Sequence, residues 1–202
     1  MALLVFSIFV WLLPPPVAEP STSMENTTPS IETVIYEIRD QNFETLAAFD
    51  ANGQLLFETT DNLNNEVTMS AEQVTEFRER NGALVIHNHP GGSSFSARDL
   101  YAEAMRGTKR AIVVTYSCLY ILTPGPQGWG DPDALTEAYD GYYEHYIQEA
   151  ESFGKRTSDT EKARWACDQT VRAVAEDFGL SYRQLTLKDL FCFHGIQVVT
   201  AG

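Results

Sequence analysis

The segment from Leu84 to Leu100, LVIHNHPGGSSFSARDL, constrains the fold of this chain more than any other. Its first residues are apolar and rich in β-branched side chains, which predicts a buried strand. Pro90 cannot donate a hydrogen bond within a sheet and ends that strand, and the glycine pair that follows predicts a turn. Ser96, three residues before an acidic residue, is typical of the start of a helix. The segment therefore predicts a strand, a short loop and a helix that doubles back.

Two of the four histidines of the chain, His87 and His89, lie at the end of this predicted strand. Side chains alternate across a strand, so both imidazoles point to one face and Asn88 points to the other. The Cα atoms of such a pair are about 6–7 Å apart, which is close enough for both imidazoles to bind one metal ion. Asp99 lies in the first turn of the following helix and is brought back towards them. The three side chains form a candidate metal site.

A site with three protein ligands leaves a fourth position for water, which is the pattern of catalytic rather than structural zinc. Bound zinc lowers the pKa of that water from about 9 to about 7, and such chemistry needs a nearby base to move the proton. Each part also has a simpler explanation. The Ser96-x-x-Asp99 pair fits an ordinary helix cap, and a His-x-His pair on a strand fits core packing.

The rest of the chain predicts an α/β (α+β) domain built on one small sheet. Turn residues between apolar runs predict strands, and capping residues before periodic apolar positions predict helices. The predicted elements are a hairpin within 44–59, a helix within 70–82, two strands within 111–125, and long helices from 132 onwards. Residues 31–40 fit either a helix or a strand, and the tail after Gly179 shows no clear pattern.

Three regions are predicted along the chain: residues 1–23, a core at 24–125, and a loop and helical region at 126–202 that packs on the core. The first region is apolar over about a dozen residues, which is too short to span a bilayer comfortably. It resembles a secretory signal without the usual basic start, or it precedes a true start at Met24. The first case implies export, with membrane association only if the segment is retained; the second implies a cytoplasmic protein. The Gly/Pro loop around Trp129 is a candidate border of the active-site cleft.

The net charge of the chain is −14, which argues against a nucleic-acid-binding protein because phosphate recognition needs a basic surface. The same charge disfavours an HNH nuclease, and amidohydrolase barrels need a much longer chain with more histidines. Cys118, Cys167 and Cys192 show no C-x-x-C spacing, so we expect ordinary buried thiols rather than a disulfide framework or a cysteine zinc site.

The order His87-Asn88-His89-Pro90 followed by Ser96-x-x-Asp99 resembles the zinc motif of the JAB/MPN (JAMM) metallopeptidases, in particular the bacterial, RadC-like branch. In that family a glutamate precedes the His-x-His and Ser-x-x-Asp parts. The gap between the second histidine and the serine is six residues here, where the family usually has seven. The resemblance covers residues 44–122. It implies a curved mixed β-sheet flanked by helices, with a helical C-terminal extension.

The resemblance also implies roles for individual residues. His87, His89 and Asp99 match the ligands of a Zn²⁺ ion. Ser96 matches the serine that helps to hold the oxyanion of the tetrahedral intermediate, and it can be the helix N-cap at the same time.

The acid/base glutamate of the family lies upstream on a strand, and Glu44 is the best match. Glu37 and Glu58 are the alternatives. In the mechanism that the resemblance implies, Glu44 removes a proton from the zinc-bound water, hydroxide attacks an amide carbonyl, and Glu44 finally protonates the leaving amine.

The function that the resemblance implies is a zinc-dependent metallopeptidase or isopeptidase. It implies a protein or peptide substrate, such as a ubiquitin-like tail. The alternative is a non-catalytic binding or scaffold module of the same fold. The position of Glu44 distinguishes them, because a metal site without an aligned glutamate would bind the ion and remain inert.

Overall fold

The computed structural model describes residues 29–154 and 156–187. Helices and strands alternate through the first two thirds of the chain, and two long helices and a final strand follow. The elements are α1 (Ile31–Ile38), β1 (Thr45–Asp50), β2 (Leu55–Thr60), α2 (Ala71–Glu79), β3 (Gly82–Asn88), α3 (Ala97–Arg106), β4 (Arg110–Val114), β5 (Cys118–Thr123), α4 (Pro132–Glu151), α5 (Asp159–Asp177) and β6 (Ser181–Thr186).

All six strands form one mixed sheet in the order β2-β1-β3-β4-β5-β6. The pair β3–β4 is parallel, and the other neighbouring strands are antiparallel. The predicted fold class is confirmed: the sheet is mixed, helices flank it, and the C-terminal part is helical. The hairpin β1–β2, the strand β3 that contains His87 and the helix α3 all form where the sequence predicts them.

Both faces of the sheet are covered. On one face α1 buries Val34, Ile35 and Ile38 against strand residues such as Ile86 and Ile112. This apolar spacing, with Ser30 as the N-cap, explains why residues 31–38 form a helix and not a strand. On the other face α3, α4 and α5 share a second apolar cluster with β4 and β5.

Strand β6 is absent from the sequence-based prediction. It pairs antiparallel with β5 along its whole length, and its residues are exposed or half-buried. An edge strand of this kind has no apolar alternation to reveal it, because only one of its sides meets the sheet. Residues 126–187 therefore contribute a strand and two helices to the same sheet and core as the preceding residues.

The crossover from β3 through α3 to β4 places the candidate site at the carboxyl ends of two parallel strands, where open α/β sheets commonly bind ligands. His89 N–H donates to the carbonyl of Val114 at 2.8 Å, which fixes the chain just beyond β3. The predicted leader at residues 1–23 and Cys192 lie outside the described residues. Within the described ranges, no helix combines the length and apolar character needed to cross a membrane.

Candidate metal centre

Three side chains converge as the sequence predicts. The Nε2 atoms of His87 and His89 lie 3.1 Å apart. Asp99 Oδ1 is 3.3 Å from Nε2 of His87, and Asp99 Oδ2 is 3.5 Å from Nε2 of His89. The histidines are only 3% and 8% exposed. Two imidazole nitrogens and one carboxylate oxygen within 4.8 Å of one another are a donor set that fits a divalent metal such as zinc.

The carboxylate of Asp99 is held in place by the helix cap. Asp99 Oδ2 accepts hydrogen bonds from the Ser96 backbone N–H at 2.6 Å and the Ser96 hydroxyl at 2.8 Å. Burial by itself raises the pKa of Asp99, but His87, His89 and the Ser96 N–H outweigh it, so the pKa lies well below its ordinary value. The group is therefore ionised at neutral pH, which is the state that binds a metal.

Ser96 is the N-cap of α3, and its oxygen accepts the Asp99 N–H at 3.2 Å. Its hydroxyl also lines the cleft beside the histidines. The capping role is thus confirmed, and the role in holding an oxyanion stays a prediction. Ser96 therefore caps the helix and also borders the site, because α3 begins beside His87, His89 and Asp99.

Glu44 lies directly before β1 and is only 7% exposed. Its Oε1 is 3.9 Å from Nε2 of His89. Desolvation raises the pKa of Glu44 to about 7, with His87 acting against the shift and Asp99 adding to it. A carboxyl group whose pKa lies near neutral pH, beside candidate metal ligands, is suited to accept and return a proton.

The two alternative glutamates lie elsewhere. Glu37 and Glu58 are exposed, and neither lines the cleft around the histidines. Partial desolvation and the nearby charge of Glu37 raise the pKa of Glu58, so these two carboxylates are neighbours of each other. Of the three candidates, only Glu44 adjoins the cluster.

The sequence-based prediction assigns no role at the site to Asn88, the residue between the two histidines. It is fully buried on the opposite side of β3. Its Oδ1 accepts the Thr45 N–H at 2.7 Å, and its Nδ2 donates to the carbonyl of Phe43 at 3.0 Å. These two bonds are made to the residues on either side of Glu44, so they fix its backbone beside the candidate metal ligands. A buried polar residue between two candidate ligands is the signal that could have indicated this role.

The cleft above the cluster has a volume of about 230 Å³. One wall is α3, and the other is the segment 64–68 between β2 and α2. Arg98 on the first wall and Glu66 on the second form an ion pair of 2.6 Å. The pair joins the two walls on the solvent side of the site.

The expectation that the loop around Trp129 borders this cleft is wrong. Trp129 is 5% exposed, belongs to the apolar cluster that α3, α4 and α5 share with β4 and β5, and donates its indole N–H to the carbonyl of Thr108. Its loop lines a different cavity, of about 670 Å³. The buried indole needs both apolar contact and one hydrogen-bond acceptor, and the core supplies both.

The loop between His89 and α3 is held by side chains from the C-terminal helices. Arg164 Nε donates to the carbonyl of Gly91 at 2.7 Å. The Tyr139 hydroxyl donates to the carbonyl of Phe95 at 3.2 Å, and the buried thiol of Cys167 approaches the same carbonyl at 3.3 Å. The six-residue spacing is therefore stabilised by α4 and α5, which sequence reasoning did not connect with the site.

We expect Arg164→Ala to weaken metal binding about tenfold, the lower end of the effect of losing an outer partner of a metal ligand. The change removes the charged donor to Gly91 and loosens the loop that carries His89. Competition with a chromophoric zinc chelator measures the affinity. Arg172→Ala is the matched control, because Arg172 pairs with Asp168 on the same helix, away from the loop. Equal affinities in both variants would contradict the supporting role.

The raised pKa of Glu44 predicts a pH dependence of stability in the metal-free protein. In the unfolded chain this carboxyl loses its proton near 4.5, whereas in the fold it keeps it until about 7. Between these values the folded state binds more protons, so the free energy of unfolding falls as pH rises. We expect Glu44 to cost about 3 kcal/mol by pH ~8. Urea denaturation across this range measures the loss, and Glu44→Gln should lack it. Parallel curves for the two proteins would contradict the shift.

Comparison with known proteins gives no assignment: no family model matches this chain, and no curated protein matches it significantly. The functional interpretation therefore depends on the geometry of the site.

The orientation of His89 suits metal binding, because its Nδ1 faces the carbonyl of Ser93 at 3.2 Å. That contact leaves Nε2 free to act as a ligand.

Proposed function

We propose that this protein is a zinc-dependent metallopeptidase or isopeptidase of the JAB/MPN type that hydrolyses an amide bond. One observation carries the proposal: a buried glutamate, Glu44, adjoins a cluster of two histidines and an aspartate without being one of the three converging groups. A purely structural metal site has no use for a fourth buried carboxyl with a pKa near 7. A hydrolytic site needs one as its base.

The residues of the chain divide the work in this proposal. His87, His89 and Asp99 hold the ion, which when bound would polarise the substrate carbonyl and lower the pKa of water. Glu44 takes up the proton of the attacking water and returns it to the leaving amine. Its pKa near 7 suits both transfers, because neither the ionised nor the protonated form is strongly favoured at neutral pH.

The size of the cleft favours a narrow, extended polypeptide as the substrate. A volume of about 230 Å³ between α3 and residues 64–68 admits a short extended stretch of chain more readily than a folded surface. A peptide, or the flexible tail of a ubiquitin-like protein, fits this description. The acidic net charge of −14 makes a nucleic-acid substrate unfavourable.

A non-catalytic binding module of the same fold is the second candidate. The ion pair between Arg98 and Glu66 favours it, because the pair joins the two walls of the cleft and restricts entry. The hydroxyl of Ser96 is also already used as a donor to Asp99. In a catalytic protein, the ion pair between Arg98 and Glu66 would have to open when substrate binds. The Ser96 hydroxyl would have to turn from Asp99 towards the substrate.

Cleavage of peptides by the full chain tests the proposal. We expect the zinc-loaded protein to generate new amino termini in a diverse peptide library and in ubiquitin-like fusions, detected by mass spectrometry. Chelation with 1,10-phenanthroline should stop the cleavage, and added zinc should restore it. A zinc-loaded protein that cleaves nothing in either set would favour the binding module.

A further inference from the structure

The two histidines of the cluster differ in how their second ring nitrogen is satisfied. His89 Nδ1 faces the carbonyl of Ser93. His87 Nδ1 is fully buried and has no hydrogen-bond partner among the described residues. An imidazole that binds a metal almost always donates its other N–H to a carboxylate, a carbonyl or a water. His87 therefore needs an acceptor that its backbone surroundings do not supply.

A buried carboxylate with an oxygen that also lacks a hydrogen-bond partner lies on α3. Glu103 is only 1% exposed and lines the same cleft. Its Oε1 is paired with Arg106 Nη1 at 2.6 Å, whereas its Oε2 is buried and without a partner in the described part of the chain. Glutamate is rarely buried unless it is paired, and a native orphan acceptor of this kind is a sign of a functional constraint.

Helix geometry places Glu103 on the side of α3 that faces the histidines. Glu103 follows Asp99 by four residues, so both side chains lie on one face of α3. Asp99 contacts Nε2 of His87, and Glu103 lies one turn further along α3. His87 and Glu103 both line the cleft beside the cluster.

We propose that Glu103 is a positioning residue of the metal site: it accepts the hydrogen bond of His87 Nδ1–H through one bridging water. This bond fixes the tautomer of His87 in which Nε2 is free to bind the ion. Arg106 holds the carboxylate in place through its other oxygen. The inference rests on the proposed function, because it assigns a support to one of the three ligands of that site.

Zinc affinity and the ring nitrogens of His87 test this inference together. We expect Glu103→Leu to weaken zinc binding about 10–100-fold, the usual effect of removing the outer partner of a ligand, and Glu103→Gln to weaken it less. The affinity is measured by chelator competition. The control is Glu76→Leu, which breaks a comparable ion pair within helix α2, with Arg80 Nη1 at 2.9 Å, away from the cleft, and it should stay within about threefold of wild type. In ¹⁵N–¹H spectra of the zinc-loaded protein, a slowly exchanging His87 Nδ1–H should be present in wild type and lost in Glu103→Leu.

The outcomes separate this inference from the proposed function. Unchanged affinity and an unchanged Nδ1–H signal in Glu103→Leu would overturn the inference and leave the zinc site intact. If Glu103→Leu does not fold, the same result in Glu103→Gln overturns it. A wild-type protein that binds no zinc would overturn the proposed function instead. In that case the tautomer of His87 in metal-free wild type and Glu103→Gln decides the inference, and identical spectra would overturn it.

Discussion

Replacing Asp99 by asparagine is expected to lower zinc affinity by more than about 100-fold, beyond the loss caused by removing an outer partner. Asp99 is the single acidic residue among the three proposed ligands, and its low pKa keeps it ionised. Asparagine offers a neutral oxygen and leaves two histidines alone with the ion. The metal content after dialysis against a weak chelator measures the effect.

Glu161→Gln is the matched control for this change. Glu161 completes the capping box of α5 as Asp99 completes that of α3, since its Oε2 accepts the Ser158 N–H at 2.9 Å and the Ser158 hydroxyl at 2.8 Å. It has the same role in the helix start, but among the described residues it forms no ion pair with a histidine. Both variants should lose a similar amount of helix stability, about 1 kcal/mol, and only Asp99→Asn should lose zinc. Full zinc retention in Asp99→Asn would contradict the three-ligand site.

Glu44→Gln is expected to lower the rate of amide hydrolysis about 10²–10⁴-fold, the usual contribution of a general base, with the zinc content unchanged. Glutamine matches the size of glutamate but cannot accept the proton. The rate is measured on the best peptide from the cleavage library. Glu58→Gln is the control, because Glu58 lies exposed on the neighbouring strand, and its rate should equal that of wild type.

Two results would contradict this role of Glu44. A wild-type rate of amide hydrolysis in Glu44→Gln would mean that another residue is the general base. A loss of zinc in Glu44→Gln would make Glu44 a fourth ligand, which is the pattern of a closed, structural site.

The parts of the site that sequence predicts are those that neighbouring residues determine. The strand of His87 and His89, the turn after Pro90 and the cap formed by Ser96 and Asp99 all depend on contacts within a few residues. Alternation along β3 and the first turn of α3 bring the ligands together. The position of Glu44 follows from the pairing of β1 with β3, which a hairpin and an adjacent buried strand already suggest.

The parts that sequence does not predict depend on contacts between distant elements. A glutamate at position 103 of the sequence is typical of the exposed face of a helix. Glu103 is buried only because α3 packs on the sheet. Arg164 is separated from Gly91 by 73 residues, and their bond exists because α5 packs beside the loop. Asn88 is visible in the sequence, but its two bonds to the start of β1 require the sheet register.

The zinc content of the purified full chain is the most direct test of the central claim. Mass spectrometry of the metal is expected to give about one zinc per chain after expression in zinc-containing medium, as a site with three protein ligands predicts. The Asp99→Asn variant should contain almost none. A wild-type protein that is purified without metal and takes up no added zinc would contradict the account.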